Sequence, residues 1–324
     1  MTTTAAAPER SASPARAAAP VPGLRERAGD RFFRLVLTGA ASLILLAAIA
    51  LAWQLGWTSR DTWKEFGPAF LWHSDWDPVN GVFGALPFLY GTAVTSLLAM
   101  LIAVPLGVGS AVFLTELAPR RLADALCFAI ELLAAVPSVI LGLMGVFLLV
   151  PAVRALEPLL TRTLGFLPFF RGAPYGVGLL TAGLILALMI LPYITTITRE
   201  VLLTVPRPLK EGMYALGATR WEVVRGVSLP YARSGIIGAA FLALGRALGE
   251  TMAVTMVIGN APKVSASLFA PGYSMAAVIA NELAEAASDA HLSALIAIGF
   301  TLLVVTVVIN GLARLMIYRL ERSA

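Results

Sequence analysis

Long uncharged apolar runs, separated by polar and charged stretches, pattern this sequence. A bilayer core of about 30 Å takes roughly 20 apolar residues of helix. Six runs meet that length, at about residues 35–53, 86–114, 126–150, 177–197, 236–258 and 292–312. The pattern therefore predicts an all-α, polytopic membrane protein with six transmembrane helices. Pro105, Pro137 and Pro192 fall inside these runs. A packed membrane helix absorbs an internal proline as a kink, so kinks are expected there.

Composition agrees. Of 324 residues, 58% are hydrophobic and only 13% charged, and the mean hydropathy is +0.83, far outside the range of a soluble domain. Residues 1–31 are mostly Ala, Pro, Arg, Ser and Thr, too poor in large apolar side chains to offset the entropy of ordering. They are expected to form a disordered arm ahead of a six-helix domain over 32–324. The length of this polar stretch and the lack of a clear small-residue cleavage site favour an uncleaved first helix over a signal peptide. The one cysteine, Cys127, excludes a disulfide framework or a thiolate metal site.

Lys and Arg are distributed by membrane side. One side receives the arm, Arg120 and Arg121, the basic residues of 199–233, and Arg314, Arg319 and Arg322. The other receives Arg60, Lys64, Arg154, Arg162, Arg171 and Lys263. The positive-inside rule places the first set, and with it both termini, in the cytoplasm. The net charge of +5 follows this sorting and shows no aromatic interleaving, which argues against nucleic acid. Trp53, Trp57, Trp63, Trp72 and Trp76 cluster after the first run, as an interfacial belt and outer loop would place them.

The most informative segment is the cytoplasmic loop over about 200–233. Pro206 and Pro208 suit a helix start, residues 209–216 are helix formers, and Gly217 sits where a left-handed C-cap belongs. Thr219 and Glu222 have capping-box spacing, opening a second helix through about Ser228 that Leu229 and Pro230 terminate. A helix-turn-helix is expected. Glu211-Gly212-Met213, Gly217 and Val227-Ser228-Leu229-Pro230 stand at the spacing of E-A-A, three residues, G, nine residues, I-x-L-P. That pattern is the EAA loop of ABC importer permeases, which the segment resembles with Gly212, Met213 and Val227 in place of Ala, Ala and Ile. The resemblance implies that Glu211, Gly217, Leu229 and Pro230 belong to an element that docks on a separate cytosolic ATPase and couples its closure to the membrane helices.

Two charges fall within the fifth run. Arg246 and Glu250 stand four residues apart, where an ionised side chain costs about 2.5–3.5 kcal/mol on insertion scales. At that spacing they are expected to share a helix face and pair. Gly235, Gly238, Ala239, Ala243, Gly245, Gly249 and Ala253 line the same run and allow another helix to approach. A guanidinium offers planar bidentate donors to an oxyanion, so Arg246 is a candidate for transient anion contact and Glu250 for partnering or gating it. Glu131, in the third run, is a further pathway candidate.

The segments 244–255 and 269–277, extended by Asn281-Glu282-Leu283, are similar to the PstC family of phosphate permeases. That resemblance covers nearly everything after the arm. It implies a role for Arg246 and Glu250 in phosphate translocation in a bacterial inner membrane. The implied partners are a PstA-like second permease, a PstB-like ATPase dimer and a PstS-like periplasmic receptor docking on the outer loops at about 58–85, 151–174 and 259–290. No cofactor is expected in this chain: ATP and Mg would be bound by the ATPase, since no G-x-x-x-x-G-K-[ST] loop is present. His73 and His291 lack metal-site companions and read as interfacial residues. A permease for sulfate or molybdate, and a proton-coupled carrier using Arg246 and Glu250 as a relay, are the alternatives.

Overall fold

The computed structural model describes residues 28–322, whose regular structure is helical apart from one isolated bridge between Asp77 and Val82. The chain divides into two units, Met1–Leu51 and Ala52–Ala324. In the first, residues 28–51 belong to α1 (Ala28–Thr58), and every side chain over 29–51 is exposed. The arm expected over residues 1–31 lies, up to residue 27, outside the described residues; from Ala28 onward the chain is already helical.

The second unit holds the short α2 (Arg60–Glu65), then α3 (Leu86–Val112), α4 (Arg120–Ala135), α5 (Ser138–Met144) and α6 (Val150–Leu164). The central helix is α7 (Leu179–Leu203), followed by α8 (Arg207–Ala215), α9 (Arg220–Val223) and α10 (Leu229–Leu248). Last come α11 (Met252–Val257), α12 (Met275–Glu282) and the long α13 (Asp289–Arg322). Among the described residues, six helical stretches are long and apolar enough to cross a membrane: Gly29–Thr58, Leu86–Leu117, Ser138–Leu164, Leu179–Leu203, Arg220–Leu248 and Asp289–Arg319.

The burial pattern suits a lipid environment. In α3 the small residues Gly91, Thr95, Ala99, Ala103, Gly107 and Ala111 recur every fourth position and are buried, whereas Leu97, Leu101 and Leu106 are exposed. Without a hydrophobic gradient between helix and lipid, close backbone approach becomes the driving term. From Ala99 to Ala111 this stripe meets α7, the neighbour on which α3 packs most extensively, whereas Gly91 faces the backbone of Tyr273. Ile185, Leu186, Ile190 and Ile194 of α7 form the core with Ala243 and Ala247 of α10 and Val254 and Val257 of α11.

Two spans depart from the sequence pattern. The third begins at Ser138, about a dozen residues later than expected, because Pro137 breaks the chain rather than kinking it. Val136, ahead of the proline, is extended (ψ 127°), as the clash between a proline ring and the preceding residue dictates. Residues 120–135 instead form the separate amphipathic helix α4, packed on α7. The same shift makes α6 a continuation of the third span, so most of the outer loop expected over 151–174 is helix. The fifth span stops at Leu248, and α11 follows as a separate piece. Pro105 and Pro192 do lie inside continuous helices.

Prolines also shape three π-helical turns, Phe113–Leu117, Gly145–Leu149 and Val224–Ser228. Each ends in an i→i−5 hydrogen bond whose donor immediately precedes a proline: Ala118 before Pro119, Val150 before Pro151, Leu229 before Pro230. A proline ring clashes with the carbonyl four residues back, and a widened turn relieves that clash. Leu229 and Pro230 therefore do not terminate the second hairpin helix as expected; the helix passes through the π turn into α10.

At the Leu86 end of α3 lies an aromatic cluster of Phe70, Phe83, Phe88 and Trp76, in which Phe83 stacks on the His291 ring and Trp76 meets it edge-on. His291 is buried, and its Nε2 lies 3.2 Å from Glu282, which also accepts from Trp76 Nε1 at 2.9 Å. Nearby, Asn281 donates to the Tyr273 hydroxyl at 3.0 Å. Burial pushes that phenol up to about 12.

Candidate functional site

The hairpin forms as its caps dictate. Helix α8 starts after Pro206 and ends at Ala215. Gly217 has φ +85°, its N–H reaches Tyr214 O (3.0 Å), and the N–H of Ala218 reaches Met213 O (3.1 Å). These are the two hydrogen bonds of a Schellman motif, in which a residue with a Cβ would be strained. Thr219 and Glu222 complete the capping box: Thr219 N–H donates to Glu222 at 2.7 Å, and Glu222 N–H donates to Thr219 Oγ1 at 3.3 Å.

The hairpin's outer face is apolar. Pro208, Leu209, Met213, Leu216, Val227 and Tyr231 line an open groove of about 660 Å³, with Leu216 85% exposed. Glu211, Gly217 and Pro230 are exposed around it and Leu229 is half-buried. The inner side is polar. Glu116, in the π turn that ends α3, receives Lys210 Nζ at 2.6 Å and Ser228 Oγ at 2.9 Å on the same oxygen, Oε1. Sequence reasoning missed their meeting, because Glu116 lies 94 and 112 residues from the other two and Ser228 stands in the EAA-like segment only at its unspecified position.

The second site lies where the fifth span breaks. Arg246 occupies the last turn of α10, exposed, with its guanidinium 5.9 Å from the centre of the Tyr193 ring. Glu250 falls beyond the helix end, in the link between α10 and α11. Its Oε1 accepts from the N–H of Ala253 at 3.3 Å, so the carboxylate caps α11. Among the described residues, no ion pair joins Arg246 to Glu250. The expected shared helix face is lost because α10 has ended before Glu250. Each charge instead meets a helix end of opposite polarity, the cation at the C-terminus of α10 and the anion at the N-terminus of α11.

The small residues of this span serve several neighbours. A Cβ on Gly235 would meet Val201 of α7, and one on Gly245 would lie 3.7 Å from Asn310 of α13. Helix α11 packs against α5, where a Cβ on Gly142 would fall 2.9 Å from the Cα of Ala253. Thr255 O in α11 accepts from Asn260 Nδ2 at 3.0 Å, and α11 together with the loop after it satisfies N–H groups at the start of α7: Gly178 donates to Val257 O, Leu179 to Ala270 O and Leu180 to Leu268 O. The broken span is thereby tied to the start of the central helix. Glu131 is exposed on α4, outside the third span.

The Arg246 guanidinium is exposed and, among the described residues, unpaired by carboxylate, at a helix break where half-helix ends and freed polar groups supply fixed partial charges.

Comparison with known proteins gives the family. Residues 103–322 match the family model of the binding-protein-dependent transport system inner membrane component. The chain is 48% identical over 305 residues to the phosphate transport system permease protein PstC of Xylella fastidiosa (strain Temecula1), covering 93% of this chain and 94% of that protein. It is 49% identical over 297 residues to the protein of the same name from Mesorhizobium japonicum, covering 90% and 91%. Among solved structures, a chain of the MetNI methionine ABC transporter in an inward-facing conformation aligns with a TM-score of 0.51 and 19% identity, over 73% of this chain and 94% of that one. At that identity the likeness concerns the fold.

Proposed function

Because the chain belongs to the family of binding-protein-dependent transport system inner membrane components, we propose that it is the permease subunit of an ATP-driven phosphate importer. The substrate rests on the near full-length similarity to phosphate permeases. The observation that carries the mechanism is the break after Leu248, which leaves Arg246 exposed at a helix end with Glu250 engaged elsewhere. A phosphate oxygen pair accepts bidentate donation from the guanidinium. Glu250, close along the chain, keeps the site from being a permanent anion trap while its cap holds α11 against α5.

The chain lies in the inner membrane with both termini and the α8–α9 hairpin cytoplasmic, as the Lys and Arg distribution favours. A PstA-like permease completes the pathway, a PstB-like ATPase dimer binds ATP and Mg and receives the apolar hairpin face, and a PstS-like receptor delivers phosphate to the outer loops. Closure of the ATPases on ATP moves the hairpins and opens the pathway outward; hydrolysis resets it.

Labelled-phosphate uptake into proteoliposomes holding the chain with its partners and receptor tests this reading. Uptake is expected to require enclosed ATP and to ignore excess sulfate. Uptake driven by an imposed proton gradient without ATP would overturn it.

A further inference from the structure

The EAA-like segment includes Ser228 only at its unspecified position and includes neither Lys210 nor Glu116, so the polar contact on the hairpin's inner side is not prescribed by that pattern. Resting on the function proposed above, we propose that Glu116 is the latch that fastens the coupling hairpin to the transmembrane core, a positioning residue that makes α3 move with α8.

Both strands of the hairpin reach the same carboxylate oxygen. Lys210 approaches from α8 at 2.6 Å, and Ser228 approaches from the returning π turn at 2.9 Å. Side-chain exposure is 8% for Glu116 and 20% for Lys210, so the pair is mostly withdrawn from water. In such surroundings the separated charges would have no solvent to compensate them, and the contact resists stretching. Helix α8 otherwise packs chiefly on α9 and the 224–228 turn. Through the second helix, which continues into α10, the hairpin is joined to the fifth span alone. The carboxylate adds a second tie, because it stands at the end of α3, and α3 packs along α7 and against α10. Both Glu116 and Ser228 sit in π turns, the widened helical segments that recur at functional positions.

The latch is tested in the assembled complex in proteoliposomes, by the ratio of phosphate transported to ATP hydrolysed. Glu116→Gln and Lys210→Gln are each expected to lower that ratio about tenfold while ATP hydrolysis continues. The charge-swapped double variant, Glu116→Lys with Lys210→Glu, is expected to recover most of it, since the Ser228 hydroxyl can accept as well as donate. Ser228→Ala keeps the ion pair and is expected to lower the ratio about threefold; it serves where a single charge variant fails to assemble. A wild-type ratio in the single variants, a swap that assembles but stays uncoupled, or an unchanged ratio in Ser228→Ala would each overturn the latch. Failure of the phosphate-importer reading is separate: it would show as wild-type complex taking up no phosphate under ATP.

Discussion

Arg246 carries its charge at the carbonyl end of α10 and Glu250 carries its own at the amide end of α11, so helix ends do the work that a mutual ion pair was expected to do. The identities of both residues were legible in the sequence, because a charge within an apolar run stands out against its neighbours. Their geometry was not, since a four-residue spacing implies a shared face only while the helix continues. Arg246 is exposed within the chain, so Arg246→Ala should leave assembly with the partner subunits intact. Loss of a charge-assisted contact of about 1.5–3 kcal/mol corresponds to a fall in ATP-driven uptake on the order of 10- to 100-fold. Arg246→Lys, which keeps the charge but not the fork, should retain part of it. Undiminished uptake in Arg246→Ala, with complex recovered by co-purification, would remove this residue from the pathway.

At the scale of elements, the hairpin was read almost completely from sequence. Proline start, glycine stop and capping box are all contacts within a few residues, and the Schellman and capping-box hydrogen bonds appear where they were expected. Gly217 has φ +85° and open space around a notional Cβ, so a substitution there acts through backbone strain rather than a clash. A side chain in the left-handed region costs about 1–2 kcal/mol, and asparagine bears that conformation best. Gly217→Val should therefore reduce ATP-driven uptake well below that of Gly217→Asn, with both complexes assembled. Equal uptake in the two would show that the turn's geometry does not matter for coupling. The turns before Pro119, Pro151 and Pro230 were less legible. Whether a helix ends at a proline, as after Val136, widens, as at Leu229, or continues, as at Pro105 and Pro192, depends on what the surrounding segments pack against.

For the molecule, α3 fixes the polarity of everything else in the second unit. Its 27 residues span about 40 Å, with the aromatic cluster around Trp76 and His291 at one end and the Glu116 latch to the hairpin at the other. Val79 is 93% exposed near the first end and Leu216 85% exposed at the second. In a chain with Cys127 replaced by alanine and expressed without the ATPase, Val79→Cys should react with an impermeant maleimide in right-side-out vesicles and Leu216→Cys only in inverted ones. The reverse pattern would overturn the cytoplasmic assignment of the hairpin and termini. The sequence by itself determined that the chain crosses a membrane with six helices and carries a capped hairpin before the fifth. Both follow from composition over one bilayer thickness or from contacts within a turn of helix. Only the tertiary structure decided where the third and fifth spans break, which small residues meet α7, and that Glu116 gathers Lys210 and Ser228 from 94 and 112 residues away. A buried carboxylate needs donors wherever the fold can bring them, and no local pattern records which ones those are.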